Sequence, residues 1–298
     1  MKKYLITRIL GNDLPTLHGK NQTIDNLLFT IINERKFDNT DTLYILNRII
    51  DPKKRRDLID LLNKYSIAFI EIEFDYNEYK KIPDIDEKTK DLLETLLIQS
   101  NSTDIPKYKI LSLALSNHRL YCMNINMARN YCIEYGKKNG YEWIFVLDSN
   151  HFFTETLYND IINNIKKDTE YITIPQKRLS DAKLENESIL TSPEKIKNIP
   201  AQEHQLAFKN TSTYLFNEQI PYGSMDKGEM LNALGVPGKW NGWNNDLEIL
   251  NIKPRHFLDI RYQTLSSVIR LHPQSENNSI EKNWIHRILD TYRIMKNI

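Results

Sequence analysis

The run Tyr4 to Leu10, YLITRIL, is rich in β-formers and passes directly into the turn formers Gly11-Asn12-Asp13-Leu14-Pro15. It predicts a first strand with a loop at its carboxyl end. A helix should follow with Thr23 as its N-cap, since Ile24, Leu27, Leu28 and Ile31 share one face at helical spacing. Thr42 to Ile50 reads as a second strand, and Asp51-Pro52 as an N-cap with proline at the first helical position. The helix so begun, to about Tyr65, carries Leu58, Leu61 and Leu62, and Ile67 to Phe74 alternates like a third strand. Strand, helix, strand, helix, strand predicts right-handed crossovers and a mainly parallel sheet whose ligand loops lie at the carboxyl ends of its strands.

Residues 77–106 are charged and polar, which predicts an insertion with one helix around Asp91 to Gln99 before order resumes at Leu111. Asn126 to Lys138 should be helical, and Trp143 to Leu147 (WIFVL) is the clearest buried strand. A helix over Thr156 to Lys166 and a strand over Tyr171 to Ile174 precede a polar stretch, Pro175 to Pro200. From Gln205 to Trp243 aromatics, glycines and prolines interleave, predicting an irregular binding wall. Val268 to His272 reads as a short strand ending in histidine. Ile280, Trp284, Ile288 and Tyr292 recur every four residues, an amphipathic helix that either docks on the core or contacts a membrane surface.

Charge and composition narrow the class. Among 298 residues, 40 Lys+Arg against 39 Asp+Glu leave a net +1, which argues against a nucleic-acid binder. With 40% hydrophobic and 10% aromatic residues, the chain can build a core. No apolar run approaches the roughly 18 residues needed to span a bilayer, and MKKYLITRIL reaches Arg8 before a signal-peptide core could form. A soluble, cytoplasmic protein is the expectation. The two cysteines, Cys122 and Cys132, form no CxxC and no Cys/His cluster, so they read as ordinary half-buried thiols.

The chemistry concentrates in EWIFVLDSN, Glu142 to Asn150. A buried strand ending in an acidic residue sets a carboxylate at the sheet rim, where a divalent cation and a phosphate can reach it. Just before it, Asn126-Met127-Ala128-Arg129-Asn130 forms a helix start that favours an anion. In this order of parts the chain resembles the nucleotide-sugar glycosyltransferases of the GT-A fold, whose DxD motif follows such a strand. The resemblance implies a single α/β domain over residues 1–298, with a mainly parallel central sheet flanked by helices. A nucleotide-sugar half would occupy residues 1–150 and an acceptor half, with the C-terminal helix, residues 151–298. It makes Asp148, Asn150 and His272 candidate ligands for Mn²⁺ or Mg²⁺ bridging the donor diphosphate. The third motif position is Asn rather than Asp, one charge fewer. Arg129 with Asn130, Arg8 with Asn12 and Asp13, and Asn47 with Arg48 become candidate donor contacts.

Neither GxGxxG nor GxxxxGK[ST] occurs, which counts against a Rossmann dehydrogenase and a P-loop kinase. On the acceptor side, Trp240 and Trp243 stand beside carboxylates, a combination suited to sugars. If the reaction inverts configuration, Asp246 is the expected base and Asp226 its rival, Asp226 being read as a surface pair with Lys227. The expected function is sugar transfer from a nucleotide donor to a glycan or other hydroxyl acceptor in surface-glycan or capsule synthesis. A sugar-nucleotidyltransferase and a non-catalytic carbohydrate-binding protein remain alternatives.

Overall fold

The computed structural model describes residues 3–14, 16, 21–98, 105–178, 196, 199–223, 226–238, 240, 247, 250–271, 280–296 and 298. Its centre is a nine-stranded sheet. Strands β1 (Tyr4–Leu10), β2 (Thr40–Asn47), β3 (Phe69–Ile72) and β4 (Trp143–Asp148) are followed by β5 (His151–Phe152), β6 (Tyr171–Arg178), β7 (Ala201–Lys209), β8 (Tyr262–Thr264) and β9 (Val268–Arg270). They lie in the order β3-β2-β1-β4-β7-β6-β9-β5, and β8 also pairs with β6. The β3-β2-β1-β4 half is parallel throughout, whereas β7 runs antiparallel to both β4 and β6.

Helices cover both faces, because strand residues alternate sides. Leu5 and Ile9 of β1, Leu43 and Ile45 of β2 and Ile144 and Val146 of β4 pack on Ala128, Cys132 and Ile133 of helix α7 (Ile125–Lys138). The intervening Tyr4, Ile6, Phe145 and Leu147 face Tyr158 and Ile161 of α8 (Glu155–Asn163). Tyr44 and Leu46 meet Leu27 of α1 (Gln22–Asn33) and Leu58 and Leu62 of α2 (Pro52–Lys64). Each such fully buried leucine contributes about 1.5–3 kcal/mol relative to an exposed one. Asp51 caps α2 as expected, its side chain accepting from Lys53 N and Lys54 N.

The expected polar insertion is more helical than its composition indicates. It holds α3 (Tyr76–Tyr79) and α4 (Glu87–Ile98), and α5 (Ile105–Ala114) and α6 (Ser116–Cys122) follow. Leu93, Leu96, Tyr108 and Leu111 form a satellite core, which is completed by Trp284, Ile288 and Tyr292 of the last helix, α10 (Ile280–Met295). Trp284, Ile288 and Tyr292 of the apolar stripe are therefore covered by the protein itself. No helix among the described residues is long and apolar enough to cross a membrane.

Two local expectations need correction. Asn21, at φ 64°, takes the cap position of α1, while the Thr23 hydroxyl donates to Asp13 at 2.5 Å. Gln205 to Lys209, read as the start of an irregular wall, belongs to strand β7, which is central to the sheet. Its polar residues obscured it, and they are the ones that face the site.

Candidate functional site

Parallel sheets present their crevice outside the carboxyl ends of the strands, where the direction of winding reverses. Here that point lies between β1 and β4. Asp148 closes β4, and its Oδ1 accepts from Arg129 at 3.0 Å. Its Oδ2 accepts from Lys227 at 3.0 Å and from Gln205 Nε2 of β7 at 3.2 Å. Lys227, which precedes α9 (Gly228–Ala233), also lies 3.6 Å from Glu203. Side-chain exposure is 2% for Lys227 and 28% for Asp148, so the carboxylate reaches solvent and the ammonium lies beneath it. Burial by itself would raise the Asp148 carboxyl, but Lys227 and Arg129 together hold it well below the usual carboxylate range.

Arg129 stands one helical turn beyond Asn126 on α7, and Asn126 Oδ1 accepts from its Nη1 at 2.8 Å. The same Nη1 reaches Asp226 at 2.6 Å. Asn126 Nδ2 in turn donates to the carbonyls of Asn217 and Asp226, tying the loop before α9 to the helix. Asp226 also accepts from Gly223 N at 3.0 Å. The expected Asp226–Lys227 surface pair is thus corrected: Lys227 serves Asp148, and Asp226 is a buried anchor for Arg129.

Deeper still, His151 Nε2 lies 2.8 Å from Gln176 Oε1 and 3.3 Å from Gln205 Nε2. Burial pushes His151 down to about 3 and His204 down to about 4, so both rings are neutral at physiological pH. In the unfolded chain each would take up a proton near pH 6.5. Stability should therefore be full above about pH 6.5 and fall with pH below it, by up to about 1.4 kcal/mol per pH unit for each ring. Urea denaturation between pH 7 and pH 5 should show this slope, and His204→Gln should make it shallower; an unchanged slope would remove His204 from the account.

The other expected donor contacts separate into two groups. Arg8 is fully buried, with Nη2 on Glu34 at 2.5 Å and Nε on the His151 carbonyl at 2.9 Å. It binds β1 to β5, and although its Nη1 is left without a hydrogen-bond partner, the side chain is wholly enclosed, which corrects the expectation of a donor contact at the sheet rim. Asn130 is likewise internal, bonded to the Phe216 carbonyl and Glu218. Asn12 bridges loops, donating to the Arg48 carbonyl and accepting from Ile50 N, and Asp13 holds Lys54 at 2.8 Å. At the end of β2, Arg48 adopts φ 48° and stacks over the Tyr121 ring at 4.1 Å. Its Nε and the Asn47 Oδ1 are buried without a hydrogen-bond partner. These two remain the candidates for a base or ribose.

Of the expected metal set, Asn150 presents a buried Oδ1 that has no partner, while His272 lies outside the described residues, as do Asp246 and Trp243. Trp240 packs in the core and edges onto His204 at 5.2 Å. Among the described residues no group of three or more His, Cys, Asp and Glu is arranged to hold a metal ion. Of the described part of that set, Asp148 already carries one fixed cation on each oxygen, and an added divalent ion would sit against both. Both cysteines are buried, with thiols pushed up to about 12 by burial, so they are inert.

Sequence reasoning missed Lys227 as a site residue, together with Gln205, Gln176 and His151. A signal was present: Gln176-x-Arg178 and Glu203-x-Gln205 place polar residues two apart, and so on one face of an extended segment.

No family model and no curated protein matches the chain. Among solved structures it is similar to glucosyl-3-phosphoglycerate synthase of M. tuberculosis, at 9% identity and TM-score 0.35 over 96% of this chain and 77% of that one. It is also similar to the 4-diphosphocytidyl-2C-methyl-D-erythritol synthase of Anaerococcus prevotii DSM 20548, at 9% identity and TM-score 0.31 over 89% and 88% of the two chains. A third likeness is to mouse xyloside xylosyltransferase 1, at 8% identity and TM-score 0.29 over 88% and 84%. These neighbours are nucleotidyl- and glycosyltransferases, and at such scores the likeness assigns no activity.

Proposed function

We propose that this protein transfers a sugar from a nucleoside-diphosphate donor to a hydroxyl acceptor. The observation that carries the reading is the carboxylate of Asp148, 28% exposed at the carboxyl end of β4 where the winding reverses, with Arg129 and Lys227 behind it. A switch-point crevice backed by cations suits a ligand with a negatively charged leaving group. The unpartnered Asn47 Oδ1 and Arg48 Nε, one strand away, supply hydrogen-bonding capacity for the nucleoside end. Arg129, almost wholly enclosed, is a positioning residue: it fixes the Asp148 carboxylate, which fixes Lys227. Asp226 has the same character, since Arg129 and Gly223 N occupy its oxygens.

The test is a panel of UDP-, GDP-, CMP- and dTDP-sugars, followed by melting temperature and by release of free nucleotide. At least one donor should raise the melting temperature and be consumed when a hydroxyl acceptor is supplied. No shift with any donor would overturn the reading. Consumption of a nucleoside triphosphate with a sugar phosphate, releasing pyrophosphate, would replace it with nucleotidyl transfer.

A further inference from the structure

Arg178, Arg270 and Arg287 come together, and among the described residues none of the three forms an ion pair, Glu203 being the one acid that acts on Arg178. Arg178 on β6 and Arg270 on β9 are direct register partners in adjacent parallel strands, so their side chains leave the same face of the sheet. Arg270 is in turn register partner of His151 on β5. Arg287 reaches in from α10, donating from Nη1 to the Gly223 carbonyl at 3.2 Å and lying over the Tyr222 ring at 5.6 Å. Gly223, at φ 82°, has no side chain for a reason: a Cβ there would stand 2.2 Å from Arg287 Cδ. The fold thus clears a path for this arginine into the cluster.

The Nε atoms of Arg178, Arg270 and Arg287 are all buried and none has a hydrogen-bond partner, nor has His204 Nδ1 nearby. Burial and the neighbouring Arg270 and Arg287 lower Arg178 to about 9, which leaves it charged at neutral pH. Lys227 adds a fourth cation, shared between Asp148 and Glu203. Counting Arg129, five cations face Asp148, Asp226 and Glu203 among the described residues, and the excess is positive. Like charges held together with unfilled donors cost stability unless an anion joins them. Planar guanidinium forks match phosphate oxygens two at a time.

We propose that Arg178, Arg270, Arg287 and Lys227 form a clamp for a diphosphate, with Asp148 holding Lys227 and Arg129 in place where a divalent cation would otherwise be expected. The identity of that diphosphate as the donor's leaving group rests on the transferase reading; the anion site does not. Fixed cations would then stabilise the charge that grows on the departing diphosphate, and the Asn in the DSN motif agrees with a carboxylate that anchors side chains.

Calorimetry on the full chain with inorganic pyrophosphate and with UDP, GDP and CDP, in EDTA, tests the clamp. Pyrophosphate and one nucleoside diphosphate should bind without metal, and Arg270→Gln and Arg178→Gln should each weaken both by about tenfold or more, the scale of a charge-assisted hydrogen bond. Because each substitution relieves repulsion, the melting temperature of the unliganded variant should equal or exceed that of the parent, while its rise on adding pyrophosphate disappears. Parental affinity in both variants, or binding that appears only with Mn²⁺ and vanishes in Asp148→Asn, would overturn the clamp. Glycerol 3-phosphate binding as tightly as pyrophosphate would overturn its assignment to a diphosphate. Pyrophosphate binding without turnover of any nucleotide-sugar would leave the clamp standing and remove the transferase reading. Turnover that needs Mn²⁺ and ignores Arg270→Gln would do the reverse.

Discussion

Replacing Arg129 by alanine should cost the protein about 3–5 kcal/mol of stability, the scale of breaking a buried ion pair by removing one partner. Its guanidinium, 3% exposed as a residue, spans Asp148 and Asp226 and accepts no substitute from solvent. Without it two carboxylates would face each other across an enclosed gap, and the loop carrying Asp226 and Lys227 would be left with Asn126 as its tie to α7. Arg129→Lys should recover part of the loss, because one ammonium keeps the charge but cannot bridge both acids. Urea denaturation at pH 7 decides this, and the deficit should shrink as pH falls through the carboxylate range, since a protonated acid no longer needs the guanidinium. A loss under about 1 kcal/mol at pH 7 would return Arg129 to the class of surface pairs.

The second large effect concerns Arg8 and Glu34. The pair is sealed, with side-chain exposures of 0% and 7%, and Glu34 Oε1 also accepts from Phe153 N at 2.8 Å. Burial raises the Glu34 carboxyl in spite of Arg8, so desolvation is the dominant influence on this acid. Glu34→Ala should therefore lose about 3–5 kcal/mol by stranding a buried guanidinium, whereas Arg8→Met combined with Glu34→Leu should recover most of it. A double variant as unstable as the single one would show that the bond from Arg8 to the His151 carbonyl, lost only in the double variant, offsets whatever is gained by removing the stranded charge.

Continuous apolar runs by themselves determined the parallel half of the sheet. Tyr4–Leu10, Thr40–Asn47 and Trp143–Asp148 are strands because each is apolar on both faces, and Asp51-Pro52 starts a helix because its cap is local chemistry. Local order also set Asp148 at the rim of the sheet and Arg129 in the first turns of a helix. The sequence could not say which of its many cations meet Asp148. Lys227 lies 79 positions away, and Arg178 meets Arg270 only because β6 and β9 pair in register. Strand β7 was hidden for the same reason: Gln202-Glu203-His204-Gln205 is an unbroken polar run, and only the tertiary structure gives Gln205 Asp148 and His151 as partners. Arg8 shows the converse. At the end of β1 it has the address of a ligand contact, but Glu34, 26 positions on, folds over it, and a buried charge is tolerated only where the tertiary structure supplies the opposite one.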